Sequence, residues 1–292
     1  GVGHLNTHGI RQAHAHGAQA TRVDPAAWLV EAIVLRSPHL VLTHVGCHKG
    51  ITIGDFIQGL DRPLRLDHIV VGISHFQTIA LAPMVDTFGH IDGAGGSHHA
   101  GPMGGAGFCV FNDVGVAARA LIDNGEVGQV LVVDLDVHQG DGTAFIFEHE
   151  PRVFTFSMHG EKNYPFTKAV SDLDIALPDG TGDEFYMTQL QAALNQIENC
   201  FKADLVLYVA GLDVHHADRL GKLALSDEGI KLRDQIVLDW AAKQRLPVAA
   251  VMAGGYFPDL EHLTDLQLGV VKRLAEYGEH YVRQVYSRNS SN

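Results

Sequence analysis

Apolar positions in the latter two thirds of the chain fall into two alternating kinds of run. Short runs of Val, Leu, Phe and Ala at 129–135, 152–158, 204–211 and 247–253 read as strands. Apolar residues at helical spacing occupy 113–123, 184–200, 227–244 and 260–276. Asp183 and Glu184 put negative charge at one helix start, and Ser226-Asp227-Glu228 does so at another, as N-caps and first turns favour. Strands separated by helices of this length predict parallel βαβ units with helices on both faces of the sheet. Residues 1–90 carry a weaker pattern: Leu40–Val45 reads as a strand, while 69–88 mixes apolar periodicity with Pro83. No repeat or Pro/Ser-rich linker divides the chain, so residues 1–292 are expected to form one α/β domain.

The strand ends carry the chemistry. Val130–Val133 runs into Asp134-Leu-Asp136-Val-His138, Leu205–Val209 into Gly211-Leu-Asp213-Val-His215-His216, and Ala249–Met252 into Gly254-Gly255-Tyr256. In an open parallel sheet the ligand crevice lies outside the carboxyl ends of the strands, so these three ends are expected to converge. Asp136 and His138 are spaced i, i+2, which on an extended chain points both side chains the same way. With Asp213 from a neighbouring end they form a three-ligand set. Asp with His suits Zn²⁺ or a similar ion better than calcium, and three protein ligands leave a position open for water and substrate. Two carboxylates and one imidazole leave the ion less positive than three imidazoles would, so a general base beside the water gains importance. His98-His99, approached through Gly93-Ala-Gly-Gly96, can supply it. Asp134 and Asp141, not needed on the metal, can each accept an Nδ1–H from one of those imidazoles.

Composition narrows the classes. The chain has 34 acidic and 21 basic residues and a net charge of −13, which argues against binding nucleic-acid phosphates directly. No apolar run is long enough to span a membrane. Three scattered cysteines (Cys47, Cys109 and Cys200) form neither a disulfide framework nor a zinc-finger pattern, which suits a reducing cytoplasm. His4, His8, His14 and His16 show no clear ligand pattern.

The motifs Gly95-Gly-Ser-His98-His99-Ala100, Gly107-Phe108-Cys109-Val-Phe111-Asn112-Asp113 and Asp134-Leu-Asp136-Val-His138-Gln-Gly-Asp141-Gly occur in that order. Asp213-Val-His-His-Ala-Asp218-Arg-Leu220-Gly221 and Gly254-Gly255-Tyr256 follow. Together they resemble the zinc-dependent histone deacetylases and their bacterial homologues, nearest the class IV branch, over residues 69–276. Residues 1–68 do not share the resemblance. It implies an arginase/deacetylase-like three-layer fold with a central, mostly parallel sheet flanked by helices. It also implies one catalytic Zn²⁺ and one or two structural K⁺ ions.

By position in those motifs, Asp136, His138 and Asp213 are the implied zinc ligands. His98 is implied to pair with Asp134, His99 to pair with Asp141, and Tyr256 to donate to the substrate carbonyl. Gly107, Phe108, Tyr164 and Leu220 line the implied acyl-lysine channel. Asp134, Asp136, His138, Ser157 and Met158 match the potassium site. The implied activity is hydrolysis of an N-acyl-lysine amide, in a protein or a small molecule, with His99 carrying much of the proton transfer. Polyamine deacetylases of the family place a gatekeeping glutamate where this chain has Leu220, which favours acyl-lysine or a more apolar acyl amide. Acetylpolyamine hydrolysis, or acyl-lysine binding without cleavage, is the alternative. A ureohydrolase is disfavoured, because it would want two adjacent metals and more bridging carboxylates. The sequence does not fix an oligomeric state.

Overall fold

The computed structural model describes residues 70–72, 90–92 and 96–289. Among the described residues, seven parallel strands form one sheet: β1 (Val70–Gly72), β2 (His90–Asp92), β3 (Val130–Asp134), β4 (Val153–Gly160), β5 (Leu173–Leu177), β6 (Leu205–Ala210) and β7 (Val248–Met252). Their order is β1-β2-β7-β6-β3-β4-β5, with all neighbours parallel. Five helices accompany them among the described residues: α1 (Asp113–Asp123), α2 (Asp141–Phe147), α3 (Asp183–Cys200), α4 (Asp227–Gln244) and α5 (Leu260–Asn289).

Alternation along the central strands produces the layers. Val130 and Val132 of β3, with Leu205, Leu207 and Val209 of β6, pack against Val114, Ala118 and Leu121 of α1 on one face. Leu131 and Val133, with Val206 and Tyr208, face the other way into a larger cluster containing Leu190 and Leu194 of α3, Val237 of α4 and Leu274 of α5. A period of two therefore feeds two cores, and because both are dry the strands read as continuous apolar runs.

The four strands and four longer helices read from periodicity are all present, with ends shifted by a residue or two except at α5, which continues to Asn289. Ser226 caps α4 as expected, its Oγ accepting the Gly229 N–H at 3.0 Å. Asp183 also reaches that cap, accepting the Ser226 N–H and hydroxyl at 2.9 and 2.6 Å. β5 and α2 gave no such signal. β5 alternates exposed and half-buried positions and carries Asp174, and α2 has only seven residues. Leu40–Val45, His4, His8, His14, His16 and Cys47 lie outside the described residues. Among the described residues, no helix is long and apolar enough to cross a membrane.

Candidate active site

After β3 the chain builds outward through β4 and β5, then returns to place β6 on the opposite flank of β3. The crevice at this reversal lies between the two strand ends that carry the expected metal ligands. The Asp136, His138 and Asp213 ligand atoms lie within 4.8 Å of one another. His138 Nδ1 is 3.0 Å from Asp136 Oδ1 and 3.1 Å from Asp213 Oδ2.

Backbone donors hold both carboxylates. Asp136 accepts the N–H groups of His138 and Gly254, each at 2.8 Å, and Asp213 accepts that of Val137 at 2.9 Å. Gly254 brings in the third strand end, and a Cβ there would overlap the Asp213 carboxylate. Arg233, wholly buried on α4, donates to the Gly211 carbonyl just before the Asp213 turn and pairs with Asp234 at 2.8 Å.

Charge balance shows what this pocket wants. Burial opposes ionisation of the Asp213 carboxyl and, with the charge of Asp136 beside it, pushes it up to about 7. Burial opposes an imidazolium at His138, yet Asp136 and Asp213 overcome it and raise that pKa to about 10. The favoured proton sits on Nδ1, between the two carboxylates. A divalent cation at the same point would answer both carboxylates and take the Nδ1 lone pair. The mixed N/O donor set fits a borderline ion of that kind.

The two histidines expected beside the metal are each paired with the expected carboxylate. His98 Nδ1 lies 2.6 Å from Asp134, and His99 Nδ1 lies 2.6 Å from Asp141. The rings are 4.2 Å apart between centroids; His98 Nε2 approaches Asp136 to 3.7 Å, and the His99 ring is 5.8 Å from that of His138. Their proton affinities diverge. Burial opposes the His98 charge, but Asp134 and Asp136 raise its pKa to about 9. Burial wins at His99 and lowers its pKa despite the Asp141 bond. One charged and one neutral imidazole side by side form an acid and a base.

Asn112 and Asp113, quoted in the motif without a role, fix this histidine pair. Asp113 accepts the Gly96 and Ser97 N–H groups at 2.8 and 2.7 Å, and the Asn112 amide donates to the His98 and Ala100 carbonyls at 3.3 and 3.0 Å. Both are hydrogen-bonding side chains at a helix start, and only the fold reveals which loop they hold.

Two of the expected channel residues, Gly107 and Tyr164, meet the His99 ring. Gly107 has φ +53°, and a Cβ on it would run into the His99 ring; Phe108 follows at φ +68°, with its side chain 93% exposed. A non-glycine residue in the left-handed region is strained, and here the strain holds an aromatic ring out in solvent. The Tyr164 ring stands edge-on to His99 at 4.9 Å. Tyr256 follows β7 and is half-exposed. Burial, then the charges of Asp136 and Asp213, raise its phenol pKa, so it remains a donor. Leu220 is also exposed. Asp134 and Ser157 are cross-strand partners in β3 and β4, and Met158 follows, buried.

A profile described as the histone deacetylase domain matches residues 74–272. The chain belongs to the histone deacetylase family. An uncharacterized protein of Picosynechococcus sp. is 49% identical over 170 residues, covering 58% of this chain and 57% of that protein. Histone deacetylase 2 of Arabidopsis thaliana is 32% identical over 165 residues, covering 56% of this chain and 43% of that protein. The crystal structure of a histone deacetylase homologue from Aquifex aeolicus superimposes with a TM-score of 0.58 at 26% identity, covering 64% of this chain and 52% of that one. The fold is therefore the arginase/deacetylase-like one, and the chain spans about half the length of the curated relatives it matches.

The chain has a second cluster of ligand-type residues that the sequence did not reveal. His215 Nε2 and His262 Nε2 both lie 2.9 Å from Asp227 Oδ1. His215 stacks on Phe257 at 4.9 Å, and its Nδ1 accepts the Ala217 N–H at 3.1 Å. That acceptor role leaves the proton of the neutral ring on Nε2, which donates to Asp227 instead of offering a lone pair. The cluster is a hydrogen-bonded clamp joining the β6 loop to the starts of α4 and α5.

Proposed function

We propose that this chain hydrolyses the amide of N-acetyl-lysine or another N-acyl-lysine, in a protein or a small molecule, using one zinc ion held by Asp136, His138 and Asp213. The observation that carries this reading is the pair of buried His–Asp dyads beside the three-ligand cluster. A protein that only bound acylated lysine would need neither a proton acceptor nor a proton donor there. Zinc supplies Lewis acidity to the amide carbonyl and to the attacking water. His99, held neutral, accepts the water proton, and the protonated His98 stabilises developing negative charge. The leaving ε-amine takes its proton back from the same imidazole pair.

Tyr256 donates its phenol to the oxyanion forming on the carbonyl, a contribution of roughly 3–4 kcal/mol for a single donor in other hydrolases. Gly107 and Tyr164 meet His99, and Phe108 and Tyr164 form the walls that guide the lysine stem. Leu220 at the mouth offers no carboxylate to a second ammonium, which favours acyl-lysine over acetylpolyamine. The net charge of −13 attracts a cationic substrate at long range. A structural potassium ion belongs to the same proposal, held around Asp134, Asp136, His138, Ser157 and Met158.

Metal analysis joined to a panel of acetyl-lysine, long-chain acyl-lysine and acetylpolyamine substrates tests the reading. One zinc per chain with acyl-lysine turnover is the expected result. One zinc with no turnover on any substrate overturns it in favour of a binding protein.

A further inference from the structure

The rim residues that would meet substrate are tied together by two side chains with no assigned role. Asn163, buried beside Tyr164, donates its amide to the Leu220 carbonyl at 2.9 Å and accepts the Lys222 N–H at 3.3 Å. Asp218 works one step further along the same loop. Its Oδ1 accepts the N–H groups of Leu220 and Gly221, both at 2.8 Å, and its Oδ2 accepts the N–H of Tyr256 at 2.5 Å. A single carboxylate thus joins the loop after β6, which carries the channel mouth, to the loop after β7, which carries the phenol. Charge-assisted bonds of this length are roughly twice as strong as neutral ones, so this is the firmest tie on the Tyr256 backbone.

We propose that Asp218 is the positioning residue for the Tyr256 phenol, coupling it to whatever occupies the channel mouth at Leu220. This rests on the reading of Tyr256 as the donor to the substrate carbonyl. Tyr256 is half-exposed, so packing alone does not hold its loop, and a hydrogen bond misplaced by an ångström loses most of its catalytic value. Through Leu220 and Asn163 the same carboxylate is linked to the Tyr164 loop. A bulky group pressing on Leu220 therefore moves the backbone that aims the phenol.

Asp218→Asn isolates the effect. Asn has one acceptor oxygen, and two N–H donors compete for it from the Leu220 side. The amide NH₂ is then left facing the Tyr256 N–H, and that bond is lost while the mouth keeps its own. A double-mutant cycle with Tyr256→Phe, read both as kcat and as affinity for a linear aliphatic hydroxamate, separates positioning from general damage. With Tyr256 in place, the expected result is a kcat loss of ten- to a hundredfold with KM within threefold. In the Tyr256→Phe background the loss shrinks to less than twofold, and hydroxamate affinity follows the same pattern with zinc content unchanged.

Equal losses in both backgrounds overturn the proposal, because a merely structural Asp218 would weaken both proteins alike. If Asp218→Asn does not fold, Asp218→Glu serves in the same cycle, keeping the charge while shifting its oxygens by one methylene. A wild-type protein that turns over no acylated substrate sinks the hydrolase reading alone, and the hydroxamate cycle still decides this one.

Discussion

Among the described residues, two places gather histidine and carboxylate around a common point, and they are built for different purposes. At Asp136, His138 and Asp213, two buried carboxylates converge on one imidazole nitrogen, and backbone donors fix both. At His215, Asp227 and His262, two imidazoles converge on one carboxylate that is about half exposed. The first has negative charge in excess and a nitrogen whose lone pair can turn toward a cation. The second is balanced by two N–H donors, one of them fixed by the Ala217 N–H on the far side of the ring. Residue types and spacing alone do not separate the two; proton positions and charge balance do.

The sharpest way to break the contrast is to remove one carboxylate from the first cluster. Asp213→Asn is expected to lose the metal and reduce kcat/KM at least ~1,000-fold, equivalent to about 4 kcal/mol of transition-state stabilisation. Metal content by atomic emission and turnover on acyl-lysine are measured on the same preparation. Full metal with near-normal turnover would remove Asp213 from the centre.

These ligands were legible from sequence because their information is local: Asp136 and His138 are two residues apart at the end of an apolar run, and Asp213 ends another. The same holds for His98 and His99 beside Asp134 and Asp141. Asn112, Asp113, Asn163 and Asp218 were not legible as functional, since they accept or donate to backbone groups of distant loops. The second cluster was hidden for a related reason: His262 lies inside a helix and meets His215 only when α5 packs beside the β6 loop. In the fold, strands dry on both faces announced themselves. β5 did not, because it lies at the sheet edge among the described residues and two of its five positions, Asp174 and Ala176, face water.

His98 in the first region and His215 in the second should also respond to pH in opposite directions once metal is chelated. His98 has a folded pKa raised to about 9 from an ordinary 6.5, with Asp134 and Asp136 overcoming burial. Its contribution to stability is fully present below pH 6.5 and is lost as pH rises through about 9. A shift of this size corresponds to at most about 3 kcal/mol. His215 has its pKa lowered, chiefly by burial, so its contribution is present above its ordinary value of 6.5 and is lost as pH falls below that. Melting temperature of the metal-free protein across pH 5–10 should therefore decline at both ends. In Asp134→Asn the decline above pH 7 should become shallower, leaving the part that His138 contributes through its own raised pKa, while the acid limb stays. An unchanged alkaline limb in that variant would show that the His98 pair does not set it.

The smallest expected effect comes from Asp227→Asn, and it discriminates most cleanly between clamp and metal site. Both imidazole Nε2–H groups point at the same Asp227 oxygen, and an asparagine carbonyl can accept both. What changes is the charge on the acceptor, which converts two charge-assisted bonds to neutral ones at a partly exposed position. The expected loss is under about 1 kcal/mol in chemical denaturation, with zinc content and kcat/KM within twofold of wild type. A metal held by His215, Asp227 and His262 would behave differently. An amide oxygen is a far poorer ligand than a carboxylate, so metal stoichiometry would fall by a full equivalent and the melt would drop with it. Equal metal content in the two proteins leaves the cluster as a hydrogen-bonded joint between the β6 loop, α4 and α5.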